Sequence, residues 1–381
     1  MKLSITQENG ARALTAASKS LSAKVNLPVL ANMLLTATKS GLEVLATDLE
    51  TATRVMIPAK VTIEGRAAVP GRMLLEFMAQ IPSGEVSIEK LGEELVIGAK
   101  DLTARLATMP PEDFPAIPKI EHGSVIRLAP GDFSMAASRV AFCAAQDDGR
   151  PVLGGVLCEA SGSSFSMVAT DGYRLAFQKI STNGKPMAAA IRVIVPARAM
   201  VEAAKLVSES AELLGERDVE LEIAQTLNQA NFRIADVQFT TRLVEGNFPP
   251  WRKIIPEKFT TSAKIGREEL VRVVRIASIF ARDSGSIVKF TLSPKDSSGA
   301  NVLRIASGNK QVGSNEADVV IGLSGRGGEI AFNYRYLLEM LLSVASEDVN
   351  FEMIESLNPG KITIPGEADY FYIVMPVRLQ S

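Results

Sequence analysis

Residues 70–81 read PGRMLLEFMAQI, and the chain writes nearly the same helix twice more, as PARAMVEAAKLV at 196–207 and NYRYLLEMLLSV at 333–344. In each copy an arginine (Arg72, Arg198, Arg335) stands two residues ahead of the first apolar anchor. The anchors then recur at i, i+3, i+4 and i+7. They are Leu74, Phe77, Met78 and Ile81; Met200, Ala203, Ala204 and Val207; and Leu337, Met340, Leu341 and Val344. That spacing places four side chains on one stripe of a 3.6-residue helix, so one buried face is predicted three times.

Each of these helices is followed by an alternating strand pattern, EVSIEKL, DVELEIA and DVNFEMI, with Val86, Val219 and Val349 in the same place. Each is also preceded, further upstream, by a second helical pattern: ITQENGARALTAASKSL, APGDFSMAASRVAFCAA and GREELVRVVRIASIFAR. Helices are expected at 6–24, 72–81, 131–146, 197–208, 266–282 and 334–343. The repeat is domain-sized, well above the period of a solenoid. Its plan of helix, strands, helix, strands predicts an α+β fold, three tandem copies of a two-helix domain on antiparallel sheet. We place the domains at 1–120, 126–250 and 254–381, with proline-containing connections near 115–125 and 249–262.

The repeat explains a smaller echo. Residues 169–177 read ATDGYRLAF, and Ala46-Thr47-Asp48 repeats the first three letters 123 residues earlier. The shared triplet is predicted to be one inherited turn. Asp171-Gly172 between two strand patterns further predicts a two-residue type I′ hairpin. Gly172, Tyr173, Arg174 and Leu175 are where the second copy departs from the first.

Composition narrows the chemistry. The chain has one histidine, His122, in a connecting stretch, and two separated cysteines, Cys143 and Cys158, in apolar surroundings. Zinc sites and histidine-based nucleophile arrangements are therefore disfavoured, no metal or cofactor is expected, and the cysteines read as buried thiols of a cytosolic protein. There is no GxxxxGK[ST] loop, no apolar run of membrane-spanning length and no apolar leader after Met1. A metal-dependent hydrolase built on Asp48, Asp171 or Asp147-Asp148 is the weak enzymatic alternative. It would show Mg²⁺-dependent turnover lost on Asp171→Ala.

Net charge is −2, which does not mark a strongly cationic nucleic-acid binder. The six expected helices nevertheless hold twelve Lys or Arg against seven Asp or Glu, an excess of five positive charges. A weakly positive helical surface attracts phosphate without reading sequence, and persistent attachment would need a further device.

The triplicated α+β domain, ATDG-x-RLA at 169–176 and MPVRL at 375–379 together resemble the bacterial DNA polymerase III beta subunit family, the sliding clamps. The resemblance runs from the LPVL stretch at Leu27 to Arg378-Leu379. It implies a homodimer joined head to tail into a ring, with helices lining a hole for double-stranded DNA and no catalysis. It also implies a bacterial cytoplasmic protein that associates with the nucleoid during replication. The implied partners are the polymerase III alpha subunit, the clamp loader and other proteins carrying a short QLxLF-type motif.

Carried over from the family, the peptide pocket comprises Leu153, Thr170, Gly172, Tyr173, Arg174, Leu175, Pro249, Ile254, Ile373 and Met375. An adjoining part comprises Arg150, Asn333, Tyr336, Pro376, Val377 and Arg378. Implied DNA contacts are Lys24, Arg72, Arg198 and Arg282, and implied dimer contacts are Leu106, Ile279 and Phe280. Tyr173 stands where the family often has histidine, Pro151-Val152 replace a tyrosine pair, and Val377 replaces a methionine. A protein-interaction scaffold that uses the pocket without encircling DNA is the alternative from the same fold.

Overall fold

The computed structural model describes residues 1–22, 27–117, 120, 123–147, 149–282, 285–294, 299–309 and 313–378. Among these the chain packs as two compact units. One comprises Met1–Ser134, Thr182–Lys185 and Ala199–Leu243, and the other comprises Met135–Ser181, Pro186–Arg198 and Val244–Ser381. Among the described residues no helix is long and apolar enough to cross a membrane.

The repeated stripe folds as its spacing requires. Helices form at Gly71–Gln80, Ala197–Glu209 and Tyr334–Ser343. Leu74, Met78 and Ile81 are buried, as are Met200, Ala203 and Val207 and all four anchors of the third copy. The upstream helices form at Gln7–Ser18, Pro130–Val140 and Arg267–Ala281.

Two of these helices are shorter than the 6–24 and 131–146 expected. The first ends where Ser20 turns inward and its Oγ lies 2.7 Å from Thr53 Oγ1. The other tightens into a 3₁₀ turn at Ala141–Cys143, and the Phe142 carbonyl accepts from Arg174 instead of a helical amide.

In the first unit a five-stranded antiparallel sheet has the order Lys60–Ile63, Lys2–Thr6, Glu85–Leu91, Glu94–Ala99, Leu102–Ala107. An eight-stranded sheet runs Ser124–Leu128, Val219–Ala224, Gln229–Ile234, Val237–Arg242, Thr51–Ile57, Gly41–Thr47, Asn32–Thr38, Gly65–Pro70. Strand 237–242 pairs with strand 51–57, with Phe239 opposite Thr53, so hydrogen bonds carry the sheet from the first repeat into the second. Gly10 lets helix Gln7–Ser18 approach helix Gly71–Gln80. A Cβ there would lie 2.8 Å from Ile5 Cδ1 and 3.2 Å from Met78 Sδ.

The second unit repeats this construction. Its nine-stranded sheet runs Met187–Pro196, Gly155–Gly162, Ser164–Thr170, Arg174–Ser181, Glu367–Val374, Gly360–Ile364, Asp348–Met353, Thr261–Gly266, Gly322–Gly325. The second repeat joins the third where Leu175 pairs with Ile373 and Phe177 with Phe371. A four-stranded sheet, Gly313–Val320, Val302–Asn309, Ile287–Ser293, Gly328–Asn333, completes it. Its core holds Phe290, Phe332 and Phe351 edge to face at 5.8–6.1 Å. Packing units thus follow the continuous sheets, and the sheets cross the repeat borders.

Candidate partner-binding site

The two ATD turns are the same object built twice. Thr47 Oγ1 donates to the Thr51 carbonyl at 2.7 Å and accepts from Leu49 N at 3.0 Å. Thr170 Oγ1 donates to the Arg174 carbonyl at 2.6 Å and accepts from Gly172 N at 3.0 Å. Asp48 Oδ1 accepts from the amides of Glu50 and Thr51, and Asp171 Oδ1 from those of Tyr173 and Arg174. The residue after the aspartate is left-handed in both, Leu49 at φ +75° and Gly172 at φ +91°.

This corrects the type I′ expectation. Asp171 does not adopt positive φ, and the three residues 171–173, held by the Thr and Asp side chains, join strands Ser164–Thr170 and Arg174–Ser181.

The side-chain bonding of the copies parts two positions further on, at Thr51 and Arg174. In the first, Thr51 Oγ1 bonds Asp48 Oδ1. In the second, Arg174 turns inward and is only 6% exposed. Its Nε donates to Asp171 Oδ2 at 3.0 Å, one terminal nitrogen bonds Glu339, and the other donates to the Phe142 carbonyl at 2.9 Å. The Tyr336 and Phe142 rings lie 4.5 and 5.4 Å from the guanidinium carbon. Burial, the largest single influence, would lower the Arg174 pKa, but the bond to Glu339 and the neighbouring acidic groups together outweigh it, leaving the pKa raised and the group charged.

Leu175 and Ile373 face each other across the strand pair and are fully buried. They share a cluster with Leu157, Val168, Ile194, Phe248 and Trp251. Both therefore lie in the core beneath the turn, and the exposed side chains here come from other residues. Tyr173 is 59% exposed and Ile254 42%, with Gly172, Pro249 and Arg150 also exposed.

Ile254 ends the 3₁₀ turn Trp251–Ile254, which the buried Trp251 anchors. Arg150 lies over the turn, since a Cβ on Gly172 would meet its guanidinium at 3.2 Å, and it pairs with Asp147 at 3.1 Å. Thr170 and Leu153 are buried, the latter through the short turn Pro151–Gly154.

The C-terminal segment closes this side. Met375 N donates to the Tyr173 carbonyl and Val377 N to the Ala331 carbonyl, both at 2.8 Å. Met375, Pro376 and Val377 are half-buried and Arg378 is exposed. Asn333 caps helix Tyr334–Ser343, its Oδ1 accepting from Arg335 N at 3.0 Å, and the half-buried Tyr336 follows one turn in. Beyond Val377 and Arg378 opens a cleft of about 420 Å³ bounded also by Lys289, Glu329, Ser356 and Leu357.

Every expected pocket residue belongs to the second unit, and contacts tie Arg150, Tyr336 and Met375 to the 170–175 turn. Sequence reasoning missed Glu339 and Phe142, which hold Arg174. Tyr336-x-x-Glu339 is an i, i+3 spacing on one helix face, and that was the available signal.

Of the expected DNA contacts, Arg72 and Arg198 are exposed, with no ion-pair partner among the described residues. Arg282 is exposed at the end of helix Arg267–Ala281, its amide bonded to the Ser278 carbonyl. Lys24 lies outside the described residues. Of the expected dimer contacts, Ile279 is 62% exposed, Phe280 is half-buried and Leu106 is buried on the edge strand Leu102–Ala107.

Cys143 and Cys158 are both buried and unpaired with each other, and burial pushes both thiols well above their ordinary pKa. His122 and Asp148 lie outside the described residues. Among the described residues no group of three His, Cys, Asp or Glu is placed to hold a metal ion.

Comparison with known proteins follows the same three-part order. Models of the N-terminal, central and C-terminal domains of the DNA polymerase III beta subunit match residues 1–118, 127–250 and 252–378. The chain is 29% identical to the beta sliding clamp of Synechocystis over the full length of both, and 28% identical to that of Proteus mirabilis, again over both full lengths. The solved beta subunit of Thermotoga maritima superposes with a TM-score of 0.90 at 26% identity, covering all of each chain. A sliding clamp of Pseudomonas aeruginosa bound to griselimycin gives the same TM-score, identity and coverage. With three consecutive domain models accounting for nearly the whole chain, this protein belongs to the DNA polymerase III beta subunit family, the bacterial sliding clamps.

Proposed function

We propose that two copies of this chain close head to tail into a ring that encircles duplex DNA and holds replication proteins on it. The function is that of a DNA sliding clamp, and the ordered match of all three domain models carries this conclusion. In this reading the domains are 1–120, 126–250 and 254–381, and the ring acts in the bacterial cytoplasm without catalysis.

Attachment by topology suits a helical charge excess of only five, too small for tight, salt-resistant binding. Arg72, Arg198, Arg282 and Lys24 would then contact phosphates loosely enough to permit sliding. The edge strands Leu102–Ala107 and Gly313–Val320 support closure. Exposed sheet edges invite pairing, and a head-to-tail ring would consume one of each at every junction, with Ile279 and Phe280 packing near the partner's Leu106.

The partner peptide would lie on Tyr173, Ile254, Met375 and Pro376, above the Leu175–Ile373 floor. Such a surface offers apolar area with a few polar groups at its rim, suited to Leu and Phe side chains of a short linear motif. The polymerase alpha subunit and the clamp loader are the partners of this reading.

Light scattering at micromolar concentration tests ring formation. A dimer weighs twice the 40.8 kDa chain, and Ile279→Asp should shift it toward monomer. A wild-type monomer under those conditions would rule out the closed ring.

A further inference from the structure

We infer that Glu339 is a positioning residue for partner-peptide binding, acting through Arg174 to fix the Tyr336 ring and the 170–175 turn as one wall. The inference rests on the reading of this surface as the peptide pocket. All three Arg174 nitrogens are engaged within the chain, and the Tyr336 and Phe142 rings both lie against the guanidinium, at 4.5 and 5.4 Å. Arg174 is therefore a strut inside the wall rather than a hand extended to a ligand.

Of its two carboxylate partners, Asp171 belongs to the same turn and moves with it. Glu339 comes from helix Tyr334–Ser343, one turn after Tyr336, and ties the strand-borne arginine to the helix that carries the ring. That helix buries Tyr334, Leu337, Met340 and Leu341, and Glu339 is not among them. Its side chain is 49% exposed, so an isolated ion pair there would add little to stability. What the bond supplies is orientation. It turns the guanidinium plane against Tyr336 and keeps the turn carrying Tyr173 at a fixed distance from the helix.

The test uses the full-length protein and a fluorescein-labelled QLxLF peptide followed by anisotropy, with the thermal midpoint recorded for each variant. Glu339→Gln should weaken peptide binding roughly fivefold to twentyfold, around the low end of the roughly tenfold to hundredfold for a charge-assisted bond made to the peptide itself, with the midpoint lowered by less than about 3 °C. In a Tyr336→Ala background the same change should cost less than about twofold, since the two residues then share one lost function. Three results would overturn the inference. They are Glu339→Gln binding within twofold of wild type, a loss undiminished beside Tyr336→Ala, or a binding loss matched by a large fall in midpoint. Failure of the wild-type protein to bind the peptide would instead remove the pocket reading itself, and this inference with it.

Discussion

The two ATD turns allow one perturbation to be read against an internal control, Asp171→Ala beside Asp48→Ala. Each aspartate accepts two backbone amides across its turn, at 2.9 and 3.0 Å for Asp171 and 3.0 and 2.6 Å for Asp48. Removing those bonds should cost about 1–2 kcal/mol in either copy, since the freed amides lie near solvent. The third bond differs. Asp48 loses a hydroxyl from Thr51, which water replaces at little cost. Asp171 loses the Nε ion pair of a guanidinium that is 6% exposed.

Stripping one partner from a buried pair costs about 3–5 kcal/mol when the charge is left alone. Glu339 remains on Arg174, so we take about half that range. Asp171→Ala should therefore destabilise by about 2.5–4.5 kcal/mol and Asp48→Ala by about 1–2. At about 2–4 °C per kcal/mol for units of this size, midpoints should fall by about 5–18 °C and 2–8 °C. Differential scanning calorimetry of both variants measures this directly. Equal shifts, or a larger one at Asp48, would refute the strut account of Arg174.

Three further expectations follow from named contacts. Leu175→Ala empties a fully buried place beside Ile373 and Trp251, so it should cost about 2–5 kcal/mol by thermal or urea unfolding and weaken peptide binding only through the floor it removes. Arg72→Gln with Arg198→Gln should lower the slope of log K against log salt for duplex DNA by about 2, while the unfolding midpoint stays within about 2 °C. Cys143 and Cys158 are buried with raised pKa values, so the thiolate is absent at pH 8. Iodoacetamide should then label neither in the native protein and both in denaturant, as read by mass spectrometry.

Much of the fold was legible because one stripe was written three times. Leu74-x-x-x-Met78 and Leu337-x-x-Met340-Leu341 are local patterns, and local patterns predict local structure. The ATD echo was legible for the same reason, but its turn type was not. The type I′ expectation considered backbone preference alone, whereas Thr170 and Asp171 supply side-chain bonds that stabilise a longer loop. The continuous sheets were also hidden. Pairing of Leu175 with Ile373 spans almost 200 residues, and an alternating strand does not announce its neighbour.

The pocket residues were named through family resemblance, yet their roles became physical only with burial assigned. Leu175, Ile373 and Arg174 are buried and Tyr173 and Ile254 exposed, so in the proposed pocket the first two would be floor, Arg174 a strut and the last two the contact surface. Glu339 stands 165 residues from Arg174, so only its spacing from Tyr336 hinted at a shared face.

The most direct measurement is topological. The protein is loaded by a clamp loader onto nicked circular DNA, separated from free protein at moderate salt, and the DNA is then cut once. A ring that encircles duplex should remain on the circle and run off the linear molecule within minutes, and blocking both ends should restore retention. Equal retention on circular and linear DNA, or loss from both at the same rate, would contradict the sliding-clamp account.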